Sequence, residues 1–225
     1  MPHDSIWTFF INNLTNSDVH AKKILEIGSY HKYGGIRKLI ETYFEPKEYI
    51  GADIRPGPGV DVVIPSEDLL TSYGKNSFDL IIATEVIEHI RDYRNFIYTI
   101  ESLLNTYGLI MLTTRSFGFG YHLAPFDFWR FSESNINQIF ENMRIDVLEK
   151  DSEYPGIFVK AHKPASFLHL DINEIAVYSI VYGRYIRFIP SYEEGRILCK
   201  LSRSLTRTRN PLLSGVAGIL NHFIM

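Results

Sequence analysis

The residue types best suited to chemistry gather at a few points of this 225-residue chain. Thr84-Glu85-Val86-Ile87-Glu88-His89 sets two carboxylates beside an imidazole. The run from Thr113 to Ser132 adds His122, Asp127 and Arg130 among seven aromatic side chains, loosened by Gly118 and Gly120. Imidazole titrates near neutral pH, so His89 and His122 are the candidate general bases, with His122 preferred. Asp127 and Arg130 can orient a substrate, or they can pair with each other in a rigid loop while Trp129 plugs the core. Glu85 and His89 stand four apart and would share a face if the segment were helical. That pair is half of a metal site at most: no HExxH spacing and no cysteine ligand joins it, so no metal is expected. A histidine satisfied at a helix start is the plainer reading of His89.

A second group lies upstream. Glu26-Ile27-Gly28-Ser29-Tyr30-His31-Lys32-Tyr33-Gly34-Gly35 is a glycine-rich turn whose spacing is not the G-x-G-x-x-G of dinucleotide binders. Alone it means only that a turn needs glycine. Asp53 follows 27 residues after Glu26, where a carboxylate can accept both hydroxyl protons of a ribose. The plainer role for Asp53 is to cap the Arg55-Pro-Gly-Pro-Gly turn. Ser66-Glu67-Asp68 is placed to flank a purine edge.

These residues need elements that bring them to one edge. Lys23–Gly28, Tyr49–Asp53, Val60–Ile64, Phe78–Ala83 and Leu109–Thr113 are short apolar runs that read as buried strands. Ile36, Leu39, Ile40, Tyr43 and Phe44 make one helix face that ends before Pro46. A helical stretch near 92–105, a helix from Ser132 to Phe140 and two strands near 144–149 and 157–162 follow. Strands alternating with helices predict a doubly wound α/β domain with a mostly parallel sheet. Ligands of such sheets bind at the carboxyl ends of the strands, which is where every residue singled out above falls.

In series, LEIGSYHKYGGIR, YIGADIRPGPGVDVV, SFDLIIATEVIEHI and YGLIMLTT resemble the motifs of class I S-adenosylmethionine-dependent methyltransferases, nearest the type 11-like branch, over roughly residues 20–163. The resemblance implies a Rossmann-like seven-stranded sheet with its last strand antiparallel, and S-adenosylmethionine as cofactor. It implies that Glu26 and Gly28 hold the methionine portion, with Ser29 and Gly34 in the same loop. Asp53, beside Ile54, would bind the ribose, Glu67 and Asp68 would lie at the adenine, and Thr84 and Glu85 beneath the sulfonium. The sequence departs from the family where Tyr30 replaces the second glycine and where Pro65 stands in place of an acidic adenine contact. The loop carrying His122, Asp127, Trp129 and Arg130 resembles the branch's H-x-x-P-x-D-x-W-R-F pattern and should overhang the reactive end. The expected activity is in-line methyl transfer; the alternative is a module that binds the cofactor or a partner without turnover.

Nucleic acid is disfavoured as acceptor. Ala83-Thr84-Glu85-Val86 stands where amino-directed nucleic-acid enzymes carry Asn/Asp-Pro-Pro-Tyr, and the only cysteine is Cys199, outside any Pro-Cys nucleophile. A net charge of −3 provides no basic field. A small-molecule, sugar or lipid-linked acceptor is favoured. The lone cysteine, and the want of a signal sequence or an apolar span, predict a cytoplasmic protein. Regular alternation fades after Lys163-Pro164, so residues 1–164 read as the cofactor-binding domain and 165–225 as a C-terminal extension. Charge divides the same way, with 16 basic and 22 acidic residues before the boundary and 7 and 4 after it. Ile197, Leu198, Leu201 and Leu205 among arginines predict an amphipathic helix, followed by the apolar segment Pro211–Met225. That extension would pack on the sheet or form a homo-oligomer interface, with membrane-surface contact the alternative.

Overall fold

The computed structural model describes residues 3–31, 35–122 and 126–207. The apolar runs form β1 (Lys23–Ile27), β2 (Glu48–Asp53), β3 (Val62–Val63), β4 (Phe78–Thr84) and β5 (Leu104–Arg115). They are followed by β6 (Trp129–Arg130), β7 (Arg144–Lys150), β8 (Gly156–His162), β9 (Val177–Ser179) and β10 (Arg184–Ile186). Seven strands make the central sheet in the order β3-β2-β1-β4-β5-β8-β7. All neighbours from β3 to β5 pair in parallel, and β8 runs antiparallel to both β5 and β7. This is the doubly wound, mostly parallel architecture the strand pattern predicts. β3, shorter than the 60–64 run, is an edge strand that pairs among the described residues with β2.

The helices are α1 (Asp4–Asn13), α2 (Asn16–Val19), α3 (Ile36–Tyr43), α4 (Leu69–Tyr73), α5 (Tyr93–Leu103), α6 (Glu133–Ile139) and α7 (Tyr192–Arg207). The alternation of each strand feeds two cores. Ile24, Leu80, Ile82 and Met111 pack with Ile6, Phe9 and Phe10 of α1 and Ile36 and Ile40 of α3. Leu25, Ile81, Ala83 and Ile110 pack on the other face with Phe96, Ile97 and Ile100 of α5. A fully buried Ile or Phe contributes roughly 1.5–3 kcal/mol, so α1, which no sequence pattern singled out, is held by its three apolar residues. Ser132 caps α6, its hydroxyl accepting from the Asn135 amide at 3.1 Å.

The extension joins the same body. β6, from the loop after β5, pairs with β9, which pairs with β10, making a three-stranded antiparallel sheet. Ile172, Val177 and Ile186 of the extension lie in the core that holds α5. α7 occupies the amphipathic stretch of the tail. Tyr192 meets the Phe126 and Phe128 rings, and Gly195 lies so close to Phe128 that a Cβ would come within 2.7 Å of its ring. The apolar segment Pro211–Met225 lies outside the described residues. Among the described residues no helix is long and apolar enough to cross a membrane.

Candidate functional site

The strand ends converge on a cavity of about 370 Å³, a size typical of cofactor sites. Its wall includes Gly28 after β1, Asp53 and Ile54 after β2, Ile64 and Ser66 after β3, Thr84 and Glu85 after β4, and Arg115, Phe119 and His122 after β5, with His89 beside them. A wider, more open groove of about 930 Å³ runs past Ser116, Phe117 and Tyr154, but none of the residues predicted for cofactor or catalysis lines it. The smaller cavity is therefore the site that fold and chemistry share.

At one end Asp53 is pinned by the main chain. Its Oδ2 accepts from the Tyr30 amide at 3.2 Å and its Oδ1 from the Arg55 amide at 2.9 Å. The turn-capping role is thus present, and the remaining lone pairs of a side chain 9% exposed stay available to the cavity. Tyr30 is part of the cavity wall, its ring stacked on the Arg55 guanidinium, 5.0 Å away, and over Gly57. Gly28 has φ +76°, and a Cβ there would lie 2.3 Å from Cγ2 of Val86, so both dihedral and space demand glycine. Thr84 contributes a buried hydroxyl with no hydrogen-bond partner among the described residues.

Other predicted cofactor residues sit elsewhere. Glu26 is buried, accepting from the Tyr49 hydroxyl at 2.9 Å and lying 3.2 Å from the His31 ring nitrogen. It lines a separate cleft of about 320 Å³ with Ser29. Burial, then the Glu26 charge, raises the Tyr49 hydroxyl well above its ordinary pKa. Glu67 and Asp68 are exposed and stand outside the cavity wall, which Ser66 forms instead. Gly34 lies outside the described residues.

Beneath the middle of the cavity Glu85 adopts φ +56°, and residues 87–89 form a single 3-10 turn. The expected shared helical face of Glu85 and His89 is therefore not formed, because the chain reverses at Glu85 before any α-turn can close. Glu85 accepts from the Thr113 hydroxyl at 3.0 Å and ion-pairs with Arg115. Burial, then the nearby Glu88 carboxylate, raises the Glu85 carboxyl above its ordinary range, and the Arg115 guanidinium works against that rise. Arg115, which sequence reasoning passed over, also reaches Asp151 at 3.3 Å and the His3 ring at 2.7 Å, tying α1 to the cavity floor. Its sequence signal is a cation at the carboxyl end of the strand, after the Leu109–Leu112 run and two threonines.

At the far end the two histidines meet edge to face, centroids 4.6 Å apart. His89 Nδ1 bonds the Phe126 carbonyl at 2.6 Å, and His122 Nδ1 lies 3.1 Å from Asp127 Oδ2. Burial, then the neighbouring His122, lowers His89 to about 4, so its ring is neutral near pH 7. Asp127 and Arg130 are both buried and do not line the cavity. Their guanidinium–carboxylate fork, with both bonds at 2.6 Å, is the rigid-loop pairing rather than a substrate contact. Trp129 is buried, its indole N–H shared by the Ile90 and Arg91 carbonyls. Asp127 thereby orients His122 and Arg130 holds Asp127.

Comparison with known proteins agrees with this fold. A family model described as a methyltransferase domain matches residues 9–148. No curated protein matches the chain. Among solved structures, the complex of the Haloferax volcanii Trm112 methyltransferase activator with a candidate methyltransferase aligns at TM-score 0.59 and 10% identity, over 74% of this chain and 92% of that one. A candidate S-adenosylmethionine-dependent methyltransferase from Listeria monocytogenes aligns at 0.55 and 11%, over 71% and 96%. An S-adenosylmethionine-dependent methyltransferase from Mesorhizobium loti aligns at 0.53 and 12%, over 71% and 98%. At such identities the likeness is one of fold.

Proposed function

The chain belongs to the methyltransferase domain family, whose class I members use S-adenosylmethionine, and from that premise we propose that it methylates a small-molecule, sugar or lipid-linked acceptor in the strand-end cavity. When bound, the cofactor supplies a methyl group on a sulfonium, already a good electrophile, so the protein's task is alignment and exclusion of water. The observation that carries the reading is Asp53: a carboxylate held by two main-chain amides, at the carboxyl end of β2, on the wall of a cavity of cofactor size. Ile54 and Ile64 offer apolar surface beside it for a flat ring, with the Ser66 turn at its edge. The orphaned Thr84 hydroxyl and the close-packed Gly28 turn fit the polar, backbone-hugging remainder of such a ligand.

The two histidines hold the opposite end, where an acceptor enters. The hydrogen bonds that their Nδ1–H groups donate leave an Nε2 lone pair on each ring in its neutral form, able to orient an acceptor hydroxyl and draw on its proton. Phe119 and Arg115 complete that end. The single cysteine supports a reducing, cytoplasmic setting. The strand pairing of residues 177–179 with β6 supports a packing role for the extension, which backs the loop that carries His122.

Calorimetry with S-adenosylhomocysteine tests the reading. One site per chain is expected, with NAD not binding. Asp53→Ala deletes acceptors for two hydroxyls at about 1.5–3 kcal/mol per charged hydrogen bond, which predicts a loss of roughly a hundredfold or more. Absence of binding, or an Asp53→Ala variant of unchanged affinity, overturns it.

A further inference from the structure

Glu88 is fully buried, and the proposed reaction leaves it without a task. Its Oε2 accepts from the Thr114 hydroxyl at 2.9 Å, while its Oε1 has no hydrogen-bond partner among the described residues. That orphaned oxygen lies 4.0 Å from His89 Nε2 and 4.0 Å from His122 Nε2. Both rings spend their Nδ1–H elsewhere, on the Phe126 carbonyl and on Asp127, so both Nε2 atoms present lone pairs. With both rings neutral and Glu88 ionised, three acceptors converge on the fully buried carboxylate, the His122 ring 32% exposed beside it. A cation at their centre would satisfy all three.

We infer that Glu88, His89 and His122 bind one divalent transition-metal ion, of the zinc class, at the acceptor end of the cavity. The three ligand atoms all lie within 4.8 Å of one another. An ion in the plane of three atoms 4.0, 4.0 and at most 4.8 Å apart sits about 2.5 Å or less from each, against the roughly 2.0–2.2 Å of zinc bonds to imidazole and carboxylate. Tetrahedral bonds of that length set ligand atoms about 3.4 Å apart, so the 4.0 Å pairs would close by roughly 0.6 Å on binding. Two imidazoles and one carboxylate form a ligand set of catalytic zinc sites, and such sites keep a further position open. That position would face the cavity, which His89 and His122 line. The surroundings match as well: metal-bound histidines give their other N–H to a carboxylate or a carbonyl, which Asp127 and the Phe126 carbonyl provide. The buried Arg130 then serves to hold Asp127 ionised and in place.

The site itself stands on these contacts alone; only its use rests on the methyl-transfer reading. There, an ion on both Nε2 atoms would replace their direct contact with the acceptor, orienting its oxygen and favouring its deprotonation, with the proton released to water. The full chain, stripped with a chelator and titrated with Co²⁺ and then Zn²⁺, provides the test. One equivalent of Co²⁺ should give visible absorption of imidazole-bound cobalt, displaced by Zn²⁺. His122→Ala and Glu88→Gln should each lose the bands while keeping the far-ultraviolet spectrum of the folded chain. Asp127→Asn, which does not touch the ion, should weaken binding by about 10–100-fold. No cobalt bands in the folded wild type, or bands that survive both ligand substitutions, overturns the proposal. S-Adenosylhomocysteine titrated into the stripped protein reports separately: binding there without cobalt bands rejects the metal and keeps the cofactor reading. Cobalt bands without S-adenosylhomocysteine binding do the reverse.

Discussion

Replacing Arg130 with methionine removes a guanidinium whose every N–H is used. Nη1 and Nη2 each donate to Asp127 at 2.6 Å, Nη1 also to the Trp129 carbonyl at 2.7 Å, Nη2 to the Gly120 carbonyl at 2.8 Å, and Nε to the Phe119 carbonyl at 2.9 Å. Methionine fills similar volume but leaves a buried carboxylate without its guanidinium, held only by the His122 amide and ring. Breaking a buried pair from one side costs about 3–5 kcal/mol, because the remaining charge keeps its desolvation penalty. For a chain of this size each kcal/mol moves the melting temperature by roughly 2–4 °C, so a drop of roughly 6–20 °C is expected. Differential scanning calorimetry measures it directly. The double variant Arg130→Met/Asp127→Asn should melt higher than the sum of the two single losses predicts, because it removes the orphaned charge as well. A single variant melting within about 2 °C of wild type, or a double variant showing strict additivity, would refute the argument that this pair holds the loop.

Other outcomes follow from the same contacts. Gly28→Ala combines a left-handed backbone with a clash against Val86, and should cost more than about 1 kcal/mol in chemical denaturation and weaken S-adenosylhomocysteine binding; Val86→Ala added to it should recover part of the loss. Trp129→Ala should cost about 3–5 kcal/mol, read by the same denaturation, since it empties a fully buried site and frees the Ile90 and Arg91 carbonyls. Burial alone would raise the Asp18 carboxyl, but hydrogen bonds from Lys160 and Thr15 hold it below its ordinary value. A lowered native pKa stabilises the fold above the unfolded value of about 4 and ceases to do so as pH falls through the native one. The stability gap between wild type and Asp18→Asn should therefore be full at neutral pH and close in acid, as urea melts at a series of pH values would show.

What the sequence by itself determined was local. Strands β1, β2, β4 and β5 are legible because a doubly covered parallel strand is apolar at nearly every position, and Asp53 because a carboxylate directly after such a run lies at the ligand edge of the sheet. The helices at 36–43 and 93–103 announce themselves by apolar spacing, and α6 by its serine cap. Tertiary structure alone decided the rest, wherever an outcome depends on two distant segments meeting. Whether Asp127 and Arg130 turn toward a ligand or toward each other is decided by β6, which pairs with β9 of the extension and buries both side chains. Glu88 reads as one more carboxylate in a polar run until the turn at 87–89 and the loop at 122 approach, leaving one of its oxygens facing two imidazoles. Likewise, α1 carries an ordinary mixture of residues, and only its contact with the sheet turns Phe9 and Phe10 into core. Periodicity reports which face of an element is buried; the partner that buries it is chosen by long-range packing, which no local pattern encodes.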